Sequence, residues 1–182
     1  MASDTIELVR RYYEDWNQGD IGAVTSALAP DVEWYGHPRL PEPGPYTSRE
    51  EVERWMGQFR EAWGELVAEP VELIEADDGA VVLVHMTGRG RGSGVEVQGG
   101  VDVHVLKLGA EGVTEFRIYP GDIAAKRAEL TEEEFDVLIL RVSSELPPSE
   151  IATRLGADES RVNAILEGAY EKARGLPVRE PA

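Results

Sequence analysis

The sequence predicts an α+β fold: a bent antiparallel sheet over three N-terminal helices, then a small tail of three more helices. Three observations predict it. Apolar residues recur at helical spacing as far as about residue 63, switch to period two, and return to helical spacing from Leu130. Turn signals at Asp77-Asp78-Gly79 and at residues 109–112 cut the period-two region into strands joined by short connections. Gly99-Gly100, inside the longest of these runs, marks a bulge, and bulges bend sheets.

Each element has its own signal. Ile6, Val9, Tyr13 and Trp16 form one stripe of a first helix, with Tyr12 at its edge. Ser3 or Asp4 can cap it, and Gly19 ends it. A short helix over about 20–28 is stopped by Pro30, and Val32 to Tyr35 reads as a short strand. Residues 36–47 contain four prolines and two glycines and read as a loop. Ser48 and Glu51 form a capping box for a helix whose face carries Val52, Trp55, Phe59 and Trp63. Strands follow around Val71 and Leu73, over 80–87, over 95–108 and over 113–119, with a flexible loop at 88–94. The tail opens with a second capping box, Thr131 and Glu134, and a stripe of Phe135, Leu138, Ile139 and Val142. Two helices follow on either side of Gly156. The boundaries expected are a main domain over 1–128, a helical module over 129–176 and a frayed terminus over 177–182.

Bulk properties narrow the function. The 182 residues are 42% hydrophobic and 29% charged, the balance of a globular chain. No apolar run approaches a membrane span, and the first residues are not a secretory signal. There is no cysteine, which removes disulfides and thiol catalysis and fits a cytoplasmic location. Net charge is −17. Before Leu130 there are 12 basic and 24 acidic residues, and from Leu130 onward 6 and 11. Both parts therefore repel phosphate, which disfavours non-specific nucleic-acid binding.

The segments RRYYEDWNQGD, APDVEW, GPYTSREEVERWMGQF, VLVHMTGRGRGSGVEV and VDVHVLKLGAEGVTEFRIY resemble a SnoaL-like, nuclear transport factor 2-like domain over residues 5–128. The resemblance implies a cone with a pocket between the concave sheet face and the helices, and often a homodimer through the sheet. It implies no single reaction, since the fold hosts cyclases, epoxide hydrolases and ketosteroid isomerase. Alignment with the isomerase places its helix-one tyrosine on Tyr12, its general-base aspartate on Trp34 and its second oxyanion donor on His104. The Arg-x-Asp pair of limonene epoxide hydrolase would fall near His85 and Thr87, and neither matches. The acid–base aspartate of the cyclases falls on Gly121, with Asp122 one residue later.

Along the long strand Asp102, His104 and Leu106 share one face and Val101, Val103 and Val105 the other. Either Asp102 and His104 point into the pocket, or the valines pack under helices and the polar pair is exposed. The catalytic candidates are Tyr12, Asp102, His104 and Asp122. In this scheme His104 is base or donor, Asp102 orients it, and Tyr12 donates to an oxyanion. Ligand-binding candidates are Trp34, Trp55 and Phe59, which suit a small apolar or aromatic molecule, with His37 in the loop and Arg117 and Tyr119 on the last strand. The three histidines lack a tight metal-ligand spacing, so no metal and no cofactor are expected.

In the tail, SEIATRLGADESRVNAIL resembles the helix-turn-helix core of sigma factor region four and LuxR-type regulators. Ala152 would sit at the helix crossing, Gly156 at the turn, and Val162 and Ile165 in the core. Arg161 and Asn163 are the candidate DNA readers, opposed by Asp158, Glu159 and Glu167. Three functions stand open: a pocket protein that binds and turns over a small molecule, a ligand-sensing regulator, and a protein-docking module.

Overall fold

The structure, a computed structural model, describes residues 3–178 apart from 93 and 95. The chain begins with helix α1 (Asp4–Gln18), which Ser3 caps by accepting from the Ile6 N–H at 3.3 Å, and which Gly19 ends at φ +81. Helix α2 (Ile21–Ser26) is shorter than expected. Leu28 to Pro30, read as helix end, instead opens strand β1 (Leu28–Tyr35). Pro30 is tolerated there because β1 is an edge strand, where a missing N–H breaks no ladder. Helix α3 (Arg49–Ala62) stops one residue before Trp63, which begins strand β2 (Trp63–Ala76). Its expected capping box is offset: Ser48 accepts from the Glu51 N–H, but the Glu51 carboxylate accepts from the Thr47 N–H, at 2.8 Å.

Strands β3 (Gly79–Gly90), β4 (Glu96–Gly109) and β5 (Gly112–Pro120) follow, and the sheet order is β1-β5-β4-β3-β2. Val95, the first residue expected in the long strand, lies outside the described residues. The register between β3 and β4 slips between His85 and Thr87, opposite the glycine pair that signalled a bulge. One expectation needs correction: β1 runs parallel to β5, so the sheet is mixed rather than a pure antiparallel meander.

After β5 the chain forms α4 (Gly121–Arg127), unmarked in the sequence reading, then α5 (Glu132–Ser143), α6 (Pro148–Leu155) and α7 (Glu159–Arg174). The capping box at Thr131 and Glu134 has both of its hydrogen bonds. Gly156 adopts φ +64 at the α6–α7 turn. The tail helices lie on the outer sheet face. Val81, Leu83, Val101, Val103 and Val105 are buried in one cluster with residues of α4, α5, α6 and α7. The other face packs Val82, Val84, Leu106 and Phe116 against α1 and α3. The sheet is thus covered on both faces, and the outer face that the resemblance offers to a dimer is occupied by the chain's own helices. Each fully buried valine or leucine contributes roughly 1.5–3 kcal/mol relative to exposure, so tail and sheet are strongly coupled.

Residues 177–178, expected to fray, are held against β5. Leu176 and Val178 are buried, Arg117 Nε donates to the Val178 carbonyl, and the Tyr119 hydroxyl donates to that of Pro177. Residues 179–182 lie outside the described residues. At the other sheet edge the Asn17 amide pairs with β2 in both directions, Nδ2 to the Ala68 carbonyl and the Ala68 N–H to Oδ1, each 2.9 Å.

Candidate functional site

A cavity of about 440 Å³ opens between the inner sheet face, α1, α3 and the 36–47 loop. Its lining includes Gly100 and Val101 beside the bulge of β4. Its walls are mostly aromatic. Trp34 stacks on Phe116 at 5.4 Å and 7°, meets Trp55 at 4.7 Å, and Trp55 stacks on Phe59 at 4.9 Å. Tyr12 and Tyr13 come from α1, and Met86 from β3.

Alternation along β4 puts Asp102 and His104 on the cavity side, which selects the first of the two arrangements the sequence allowed. His104 is 4% exposed, and its Nδ1 lies 2.7 Å from the Tyr13 hydroxyl. Its Nε2 is buried with no hydrogen-bond partner among the described residues. Burial, reinforced by the nearby His37, lowers its pKa from 6.5 to about 3, so the imidazole is neutral at ordinary pH. Trp16 Nε1 is likewise buried and unpartnered. Trp34 Nε1 makes no bond of full geometry, though its proximity slightly favours ionised Tyr12. Burial dominates and raises the pKa of both Tyr12 and Tyr13, so both stay protonated donors.

Asp102 does not orient His104, contrary to the sequence reading. Tyr13 is the partner of the His104 Nδ1, and Asp102 faces His37 instead, at 3.6 Å from the His37 Nε2. The Arg39 backbone N–H donates to His37 Nδ1 at 3.2 Å, so the neutral ring carries its proton on Nε2, toward the carboxylate. Burial raises the Asp102 pKa from 3.8 to about 7; Arg39 opposes the shift and Asp122 adds to it. Burial also lowers that of His37, with Arg39 acting in the same sense. Arg39 bridges both carboxylate oxygens of Asp122, at 2.9 and 3.1 Å, and so ties the loop to the start of α4 at the rim.

Of the sequence candidates, Tyr12, Asp102, His104, Asp122, Trp34, His37, Trp55 and Phe59 all line this cavity. Arg117 and Tyr119 do not. They sit on the outer face, where Arg117 stacks over Tyr35 at 4.1 Å and both hold the 177–178 segment. Two residues were missed. Tyr13 belongs to the helical stripe and reads as core, while Arg39 sits in a proline-rich loop that carries no periodic signal. On α7, Asn163 is exposed, and Arg161 pairs with Glu133 of α5 at 2.7 Å. On the outer face Glu69, His85 and Glu145 bring ligand atoms within 4.8 Å of one another, a cluster sequence spacing did not reveal. His85 and Glu145 form a 3.5 Å pair there. No helix among the described residues is long and apolar enough to cross a membrane.

The fold is that of the nuclear transport factor 2-like cone, and comparison places it more narrowly. The profile of the SnoaL-like domain matches residues 9–125, and the chain belongs to that family. No curated protein matches it. Among solved structures, an NTF2-like protein of unknown function from Burkholderia pseudomallei is 26% identical, with a TM-score of 0.59 over 65% of this chain and 91% of that one. TerC, co-crystallised with polyporic acid, is 22% identical with a TM-score of 0.58, over 68% of this chain and 96% of TerC. A protein of ketosteroid isomerase-like fold from Catenulispora acidiphila, in complex with trimethylamine, is 17% identical with a TM-score of 0.57, over 66% and 92%. At these identities the last two speak for the fold alone.

Proposed function

We propose that this SnoaL-like chain binds a flat, largely apolar ligand bearing at least one oxygen, and that Asp102 exchanges a proton with it. The observation that carries the reading is Asp102 itself: a carboxyl that titrates near pH 7, set in the wall of an aromatic cavity, with a histidine Nε2–H turned toward it. A group with that pKa is effective as both base and acid at neutral pH, whereas an ordinary aspartate is a weak base. His104 is too reluctant to take a proton to be the base. Its neutral ring, held by Tyr13, serves better as a fixed hydrogen-bonding group for a ligand oxygen, with Tyr12 a second donor at the same end. The reaction class that suits this set is proton transfer beside a carbonyl, as in a cyclase or an isomerase.

The test needs no knowledge of the natural substrate. Exchange of the acidic carbon-bound protons of 2-tetralone into D2O, followed by NMR, reads proton abstraction directly. Wild-type protein is expected to accelerate exchange, with a rate that rises through pH 7 as Asp102 ionises. Asp102→Asn is expected to lose about 10²–10⁴-fold, the usual worth of a positioned base. Equal rates for the two proteins would remove Asp102 from that role.

The regulator alternative would place Arg161 and Asn163 on DNA. The tail's own arrangement favours a packing role instead: Arg161 lies on Glu133, Lys172 on Glu134, and Arg174 on Glu171. Phosphate would have to displace carboxylates that already hold these cations.

A further inference from the structure

The cavity is not built from the family domain alone. Two of its lining residues, Phe135 and Ile139, come from α5, beyond the match that ends at residue 125. They stand one turn apart, so both face the same way. Their exposure sets them apart from the buried positions of the helix. Val137, Leu138 and Val142 are at most 5% exposed and lie in the core with the sheet, whereas Phe135 and Ile139 are only half-buried and border the cavity. Packing is also imperfect where they meet the sheet. A second gap of about 20 Å³ lies between α5 and Val101, and its lining shares Phe135 and Ile139 with the main cavity. A gap of that size holds at most about one water.

Resting on the pocket reading above, we propose that α5 is a ligand-contacting wall and that Phe135 and Ile139 determine specificity. They would select ligands long enough to reach from the Tyr13–His104 end past Asp102 to the rim. A ligand that touches both the cone and α5 must, by linkage, stabilise the docked tail as much as the docked tail strengthens its binding. The tail would respond as a unit, because α5 is tied to α7 by the pairs Glu133–Arg161 and Glu134–Lys172.

The experiment uses the full chain and two probes, 2-naphthol and the longer 6-phenyl-2-naphthol, with tryptophan quenching as the readout. In the Phe135→Ala/Ile139→Ala variant the long probe is expected to bind about tenfold more weakly while the short probe is unchanged, as removing one wall of apolar contact implies. Ile139→Trp, which fills the rim without deleting apolar surface, is expected to exclude the long probe selectively and guards against a variant that fails to fold. Hydrogen exchange in α5 to α7 is expected to slow with the long probe bound and not with the short one. If wild type binds the long probe and both variants bind it equally well, α5 is not a wall and the inference falls while the pocket reading stands. If wild type binds neither probe, the pocket reading falls and takes this inference with it.

Discussion

Asp102 and His104 sit two residues apart on one strand, and burial moves their titrations in opposite directions. Asp102 holds its proton in the folded chain to about pH 7 but releases it near 3.8 when unfolded, so its effect on stability grows more unfavourable as pH rises across that window. His104 stays neutral down to about pH 3 when folded but takes a proton near 6.5 when unfolded, so stability falls as pH drops below 6.5. Asp102→Asn is therefore expected to be more stable than wild type at pH 8 and nearly equal at pH 4, by denaturant unfolding at both. Tyr13→Phe leaves His104 Nδ1 buried without a partner and is expected to cost about 1–3 kcal/mol in the same assay. Period two put Asp102 and His104 together on one strand face and alignment put the tyrosine on α1, but which face meets the cavity was left open, because alternation alone does not say which side the helices cover. Arg117 and Tyr119 were misplaced because alternation does not give register. Tyr119 lies opposite Val103 and Arg117 opposite Val105, so both share the valine face, while Ile118 lies opposite His104. Tyr13 was hidden because a tyrosine in an apolar stripe looks the same whether its hydroxyl is used or not.

At the level of elements, sequence signals located what has periodicity or a cap and missed what has neither. The tail capping box and the β3–β4 bulge were readable from four residues. Helix α4 was not, being seven residues long and led by Pro120 and Gly121. The length of β1 was hidden by Pro30, a helix stop that only an edge strand accommodates. The 36–47 loop was legible as a loop, but not as a strap. Trp34 and Tyr46 pair as an isolated antiparallel bridge at its base, and Arg39 fastens its tip to Asp122. Both members of the Arg39–Asp122 pair are well exposed, so a double-mutant cycle on them is expected to return less than about 1 kcal/mol of global stability. Amide exchange within 36–47 is the sensitive measurement, and it is expected to quicken in Arg39→Ala while the sheet is unaffected.

For the molecule as a whole, the apolar run from Ala80 to Val84 carried more information than its strand assignment used. Continuous rather than alternating apolar residues mean a strand buried on both faces, and the second face needs a cover. The tail is that cover, which is why its apolar stripes had to find the sheet. A chain ended after Ala128 would expose Val81, Leu83, Val101, Val103 and Val105 together. It is expected to self-associate in light scattering at concentrations where the full chain does not.

Strand β2 is fourteen residues long and forms one rim of the sheet. A bare rim of that length is an invitation to a neighbouring molecule, since its free amides and carbonyls can template another strand. Here the invitation is withdrawn at several points. Asn17 takes both backbone groups of Ala68, Arg174 takes the Glu75 carbonyl, and the ladder slips beside Pro70. Glu65, Glu69, Glu72 and Glu75 punctuate the strand with negative charge. Two copies meeting rim to rim would oppose their carboxylates and leave backbone bonds unmade, so β2 resists the fibrous association to which long exposed strands are prone.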